Sequence, residues 1–167
     1  MNKLSIGNKI LVLGCPGSGK STFARKLAQR TGLPIVHLDN LWWRTDGTHI
    51  SRAEFDQALE TLLQGERWIL DGNYSRTYEV RFRACDTAIF LDYPEDVCMA
   101  GIAARVGQQR PDMPWTEQTL DQELVTLVQN YGRDNRPTIY ALLQKYPEKQ
   151  ALIFTSRAEA DRWLSER

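Results

Sequence analysis

Residues 14–22 read GCPGSGKST, an instance of G-x-x-x-x-G-K-[ST], and no other run restricts the fold as tightly. Before it stands Ile10-Leu11-Val12-Leu13, an apolar run with the length and branching of a buried strand. After it come Phe23, Ala24, Leu27 and Ala28 at helical spacing. Strand, glycine loop and helix in that order make a phosphate site out of a string match. Gly14, Gly17 and Gly19 let the backbone of Gly14, Cys15, Pro16, Gly17, Ser18, Gly19, Lys20, Ser21 and Thr22 curl with its N–H groups inward. The helix N-terminus adds partial positive charge where phosphate oxygens sit. Lys20 then bridges the β- and γ-phosphates of a nucleotide, and the Ser21 hydroxyl ligates Mg²⁺.

A chain of 167 residues with 42% hydrophobic content holds one well-buried α/β core, so residues 1–167 read as a single domain. Lys+Arg and Asp+Glu balance at 21 each and no run of like charge stands out, which removes the footprint of a nucleic-acid or membrane binder. Cys15, Cys85 and Cys98 are odd in number and irregularly spaced, as in a reducing cytosol rather than a zinc site or disulfide framework. Cys15 lies in the glycine loop, where the helix N-terminus can lower a thiol pKa, but a small inert residue is the simpler reading. The apolar stretch after Lys9 is short of the roughly 7–15 residues of a signal h-region, and charges recur too often for a membrane span. The expectation is a soluble cytoplasmic protein.

Along the chain, the first helix should stop at Thr31-Gly32. Ile35-Val36-His37-Leu38 reads as a second strand delivering Asp39 at its carboxyl end, the ligand edge of a doubly wound sheet. His37 reads as a packed core residue. Trp42 and Trp43 cannot face the same way, so one suits the core and the other an acceptor pocket. Ser51 and Glu54 form a capping box for a helix carrying Phe55, Ala58, Leu59, Leu62 and Leu63, stopped by Gly65. A third strand, residues 67–72, ends in Asp71, the candidate Walker B partner of the magnesium ion, before the polar loop Asn73-Tyr74-Ser75-Arg76. Residues 87–91 give a fourth strand, with Pro94 in the first turn of the helix behind it. Residues 107–115, GQQRPDMPW, form the least regular stretch and read as a lid flanked by Arg105 and Arg110, spanning about residues 105–116. Neither arginine has an acidic partner four residues on along a regular helix. Leu120, Leu124, Leu127, Val128 and Tyr131 mark a helix ending at Gly132, and Pro137 opens another. A fifth strand, residues 151–154, precedes a second capping box at Ser156 and Glu159.

With the glycine loop, Asp39, Asp71-Gly72 and Asp92-Tyr93-Pro94 in place, the chain resembles the small P-loop kinases of the adenylate, shikimate and gluconate kinase group. The runs IVHLDNLWW, WILDGNYSRT followed by Arg81, and AIFLDYP followed by Arg105 look most like bacterial sequences labelled DNA topology modulation proteins. The resemblance covers most of the chain. It implies an α/β P-loop NTPase three-layer sandwich, with a five-stranded parallel sheet of order 2-3-1-4-5, helices on both faces and a small lid. It also implies ATP–Mg²⁺ as phosphoryl donor, and WILDG is similar to the segment that supplies the magnesium-associated Asp.

The pattern also departs from that group. Its members usually carry arginines nine and thirteen residues beyond the Asp of the D-x-P segment, where this chain has Gly101 and Arg105. Arg105 is carried over as a phosphate contact, while Gly101 leaves the adenine clamp, or one lid charge, without its usual arginine. Adenylate kinases have Thr-Gly after the second strand and an arginine four residues past the third-strand Asp; here stand Asp39 and Ser75, with Arg76 one place later. Asp39 resembles the hydroxyl-binding Asp of shikimate and gluconate kinases, and a carboxylate there repels an acceptor phosphate but accepts a hydrogen bond from a hydroxyl. The reading is a small-molecule kinase acting on a hydroxyl of a small acceptor, with Lys20, Asp39, Arg105 and Arg110 as its working side chains. Two alternatives stand beside it: a P-loop ATPase, and a nucleotide-binding regulator that affects DNA topology indirectly. Water-activating ATPases commonly place a Glu after the Walker B Asp, whereas Gly72 follows Asp71 here, and balanced charge speaks against direct DNA binding.

Overall fold

The computed structural model describes residues 5–166. Five parallel strands, β1 (Lys9–Gly14), β2 (Ile35–His37), β3 (Trp68–Asp71), β4 (Thr87–Leu91) and β5 (Gln150–Phe154), form one sheet of order β2-β3-β1-β4-β5. Every residue of β1 after Lys9 and all of β3 and β4 are buried, which is why these strands read as unbroken apolar runs. The edge strand β5 is mostly exposed. The helices are α1 (Lys20–Thr31), α2 (Leu38–Trp42), α3 (Arg52–Leu63), α4 (Tyr78–Ala84), α5 (Glu95–Ala104), α6 (Gln122–Asp134), α7 (Arg136–Lys145) and α8 (Arg157–Ser165).

Several boundaries follow the local chemistry foreseen. Gly32 caps α1 at φ 72° with its N–H on the Ala28 carbonyl, and the Ser51–Glu54 box is closed from both sides. Others differ. The second strand stops at His37, so Asp39 sits on the first turn of α2 instead of on a strand tip. Ser156 accepts from the Glu159 N–H at 3.2 Å, but the Glu159 carboxylate turns to the N–H of Thr155 at 2.9 Å, leaving half of the second box. α6 starts after Asp121, whose side chain caps it, so Leu120 lies outside and exposed. Gly132 does not end that helix. A Cβ there would meet Nη1 of Arg136 at 2.6 Å; the bare glycine lets that guanidinium pass, and Arg136 reaches Asp92 at 2.6 Å. Tyr140 donates to the other Asp92 oxygen at 2.7 Å, so Asp92 ties α7 to the end of β4.

The backbone of α5 lies directly on the glycine loop. A Cβ on Gly101 would collide with the Gly17 carbonyl and come within 2.8 Å of Gly17 Cα, and one on Gly17 would collide with the Cys98 carbonyl. The missing arginine at position 101 therefore has a steric cause: no side chain fits. Restoring it as Gly101→Arg forces two backbones apart, and we expect a loss of about 3 kcal/mol or more of stability in urea unfolding, together with lost nucleotide binding. An unchanged midpoint would show that the helix and the loop are not in contact.

Candidate functional site

β1 runs into a loop that turns through Gly17 at φ 85° and Gly19 at φ 86°, conformations that L side chains rarely adopt. Gly14 does not share that geometry; it is small for room, since a Cβ there would meet Ser18 Oγ at 2.6 Å and the Leu91 carbonyl oxygen at 3.2 Å. Helix α1 begins on Gly19 with no side-chain cap, which leaves its first N–H groups for an anion. Lys20, in its first turn, is 8% exposed and has no ion pair or side-chain hydrogen bond among the described residues. Its charge acts on the Asp39 and Asp71 carboxyls, and the free N–H groups of the loop beside it suit a phosphate. Thr22, in the same turn, is exposed, and Pro16 and Lys20 line a cavity of about 510 Å³.

β2 and β3 pair with His37 opposite Asp71, so these two polar ends meet across the strands. His37 Nδ1 lies 2.5 Å from Asp71 Oδ2, and the same oxygen accepts from Ser21 Oγ at 2.7 Å. His37 is thus more than a packed core residue: it orients Asp71. Burial alone would raise the Asp71 carboxyl, but the hydrogen bond from His37, the charge of Lys20 and the bond from Ser21 hold it below the ordinary aspartate value. Asp71 Oδ1 is buried without a partner among the described residues. Ser21 and an orphaned carboxylate oxygen fit a magnesium ion that keeps its waters and takes its remaining ligands from phosphates. No group of three His, Cys, Asp or Glu side chains among the described residues could hold a metal alone.

Asp39 faces the same cavity from α2. Its Oδ1 accepts from Tyr74 OH at 2.6 Å, and nothing among the described residues donates to Oδ2. Burial raises the carboxyl above the ordinary aspartate value, against the pull of Lys20 and the Tyr74 hydroxyl. Tyr74 stands in the left-handed region at φ 43°, and Arg81 holds it there. The fully buried Arg81 guanidinium donates to the carbonyls of Gly72 at 3.0 Å, of Asn73, and of Tyr74 at 3.3 Å, while its Nε reaches Thr77 Oγ1 at 3.0 Å. Burial lowers its pKa to about 10, so it remains a cation at neutral pH. Arg76, by contrast, forms a bidentate pair with exposed Asp56 and does not line the cavity.

The segment between α5 and α6 has neither helix nor strand and folds over the cavity. Its arginines are occupied, contrary to the expectation from helical spacing. Arg105 Nε lies 3.2 Å from Glu117 Oε2, and Arg110 reaches Asp112 at 2.9 Å and Glu117 at 3.4 Å. Partners come from the loop itself, which an i+4 rule cannot see. The Arg105 contact is poorly aligned, leaving its buried Nε without a hydrogen bond, and burial followed by the neighbouring Arg110 charge lowers its pKa. Asp112 also meets Arg25 of α1 at 3.4 Å, and Asn40 donates to the Pro111 carbonyl at 2.8 Å, so the segment is docked. Arg105 lines the cavity whereas Arg110 does not. Of the two tryptophans, the partly buried Trp42 packs on Phe55 against the core, and Trp43 meets Trp115 edge-on at 5.6 Å on the cavity wall.

Arg157 escaped the sequence reading. From the first turn of α8 it donates to the Gly17 carbonyl at 2.9 Å and lies over the Tyr93 ring, so β5 and α8 brace the glycine loop from the far side. Its only sequence signal is an arginine just after a strand end. Cys15 is buried, and the neighbouring Cys98, then burial, push its thiol above the ordinary value.

Known proteins can be set against this geometry. An AAA domain family, AAA_33, matches residues 10–139. None of the curated proteins compared with the sequence is significantly similar to it. Among solved structures, shikimate kinase from Acinetobacter baumannii in complex with shikimate is similar, at 17% identity and a TM-score of 0.63 over 98% of this chain and 91% of that chain. So is shikimate kinase from Bacteroides thetaiotaomicron, at 18% identity and a TM-score of 0.55 over 93% of each chain. At such identities the likeness carries the fold, a P-loop kinase-like sheet with helices. Since the family match runs from the strand that feeds the glycine loop into α7, well over half of the sequence, the chain belongs to the AAA_33 family of AAA domains.

Proposed function

We propose that this protein is an ATP- and magnesium-dependent phosphotransferase that moves the γ-phosphoryl group to a hydroxyl of a small acceptor. The observation that carries the reading is one cavity lined by both the Lys20 ammonium, unpaired among the described residues, and the Asp39 carboxylate, with Oδ2 free. Lys20 and the loop N–H groups hold the β- and γ-phosphates. Magnesium bound beside Ser21 and Asp71 would neutralise charge between them. Asp39 Oδ2 accepts the hydroxyl proton as the acceptor oxygen bonds to phosphorus and the bond to the β-phosphate oxygen breaks, leaving ADP. A carboxyl raised by burial is a better base than an ordinary aspartate, and Tyr74 fixes its plane. Arg105 leaves Glu117 for the transferring phosphoryl group, with Arg110 supporting the closed segment.

A water-activating ATPase is less well supported, because Gly72 follows Asp71 and the second carboxylate of the site opens on the acceptor cavity. Any effect on DNA topology is then indirect, through small-molecule pools. The partners proposed are ATP and the acceptor, without nucleic acid or membrane; among the described residues no helix is long and apolar enough to cross a membrane.

The test is ADP release by purified protein over a panel of hydroxyl compounds and nucleoside monophosphates, with Lys20→Ala as control. Lys20→Ala should remove transfer and keep the fold; wild-type turnover in that variant would end the assignment. Asp71→Asn should lower kcat more than it weakens ATP binding. Asp92→Asn should leave kcat almost unchanged and reduce stability by about 1 kcal/mol through the half-exposed Arg136 pair. The reverse ranking would move the magnesium site to β4. Arg105→Ala should reduce kcat roughly a hundredfold, the size of a donor worth about 3 kcal/mol in the transition state, and Arg110→Ala less.

Asp39→Asn should abolish transfer while raising stability at neutral pH, since it removes a charge that burial disfavours. A folded-state pKa above the unfolded one favours the native state at low pH, and that contribution is lost as pH rises through the folded value. The advantage of the variant should therefore shrink as pH falls toward the ordinary aspartate range. Urea midpoints of both proteins across that window check the sign, and a constant gap would show that Asp39 is not raised.

A further inference from the structure

The cavity carries more information about the acceptor than its hydroxyl. A carboxylate or phosphate on the acceptor needs a free cation, and the arginines around the cavity are accounted for. Arg76 is paired with Asp56, Arg136 with Asp92, and Arg110 with Asp112 and Glu117, while Arg81 is enclosed by carbonyls and Thr77. Among the described residues the cations that line the cavity are Lys20 and Arg105, both assigned to the donor phosphates. Three carboxylates line it as well: Asp39, Glu117 and Asp121. When Arg105 turns to phosphate, Glu117 keeps only the 3.4 Å contact with Arg110, so closure leaves the rest of the cavity more acidic. Its walls include Trp43, Tyr74 and Trp115, faces that attract cations, and the Trp115 indole N–H is buried without a partner among the described residues, free to donate to an acceptor oxygen.

We propose, resting on the phosphotransferase reading above, that the acceptor is an alcohol bearing an ammonium group, of the amino-alcohol or amino-sugar class, and that carboxylate- and phosphate-bearing alcohols are excluded. Asp39 takes the hydroxyl, while Asp121, with Glu117 after closure, faces the ammonium between the aromatic walls. An anion about 6 Å from a carboxylate at an effective dielectric of 20 is disfavoured on the order of a hundredfold, and an ammonium is favoured by a similar factor.

The test uses matched acceptors that differ in one substituent: glucosamine, glucose and glucuronate, and serinol, glycerol and glycerate, with shikimate added. Binding is read from tryptophan fluorescence in the presence of a non-hydrolysable ATP analogue and Mg²⁺, and transfer from ADP release. The expected result is tightest binding of the amines in each set, by tenfold or more over the neutral compound, with no binding of the carboxylates. Asp121→Asn, which keeps the helix cap, should reduce the preference for amines severalfold. Amine binding without ADP release would support the charge class and overturn the phosphotransferase reading. Carboxylates binding as well as amines, or no member binding, would overturn the charge class whatever the turnover.

Discussion

An ammonium held in a nearly closed site without a partner governs the rest of the design. Asp39 and Asp71 approach it from the ends of neighbouring segments, its charge pulls both carboxyls down, and the glycine loop supplies oriented N–H groups beside it. Each of those neighbours needs its own support. Asp71 keeps its charge through His37 and Ser21, and Asp39 keeps its orientation through Tyr74. The sheet order brings these groups together by placing β3 beside β1 and β2 beside β3, so that the glycine loop, Asp71 and Asp39 emerge side by side along one edge.

Arg81 shows how far the support extends from the chemistry. It touches no cavity residue through a charge pair; it satisfies carbonyls of a three-residue turn, one of which belongs to a tyrosine in a conformation that side chains seldom adopt. A planar fork can serve several carbonyls at once where a lysine would serve one. The strain at Tyr74 is small beside the penalty of leaving those carbonyls orphaned in the interior.

The fold was legible because the strands are apolar runs bounded by loop residues and several helices have a cap or stop in local sequence, as at Gly32 and Ser51. The glycine loop was legible for the same reason, since Gly17, Gly19, Lys20 and Ser21 are contiguous. What stayed hidden depends on residues brought together across the chain. His37 meets Asp71 because two parallel strands are in register, Glu117 meets Arg105 because an irregular segment folds back, and Arg157 meets Gly17 from 140 residues away. Gly132 misled in the opposite sense: a residue that usually stops a helix serves here as a gap for a neighbouring guanidinium.

The contact between Gly17 and Gly101 has a mechanical side. Where two backbones touch with no side chain between them, there is no soft layer to absorb displacement, so loop and helix must shift as one piece. Arg105 lies one turn beyond Gly101, about 6 Å along the axis at the usual rise per residue. The helix thus acts as a short lever with its fulcrum on the glycine loop and its tip on the cavity wall, so that a displacement of the loop is carried to the guanidinium beside Glu117.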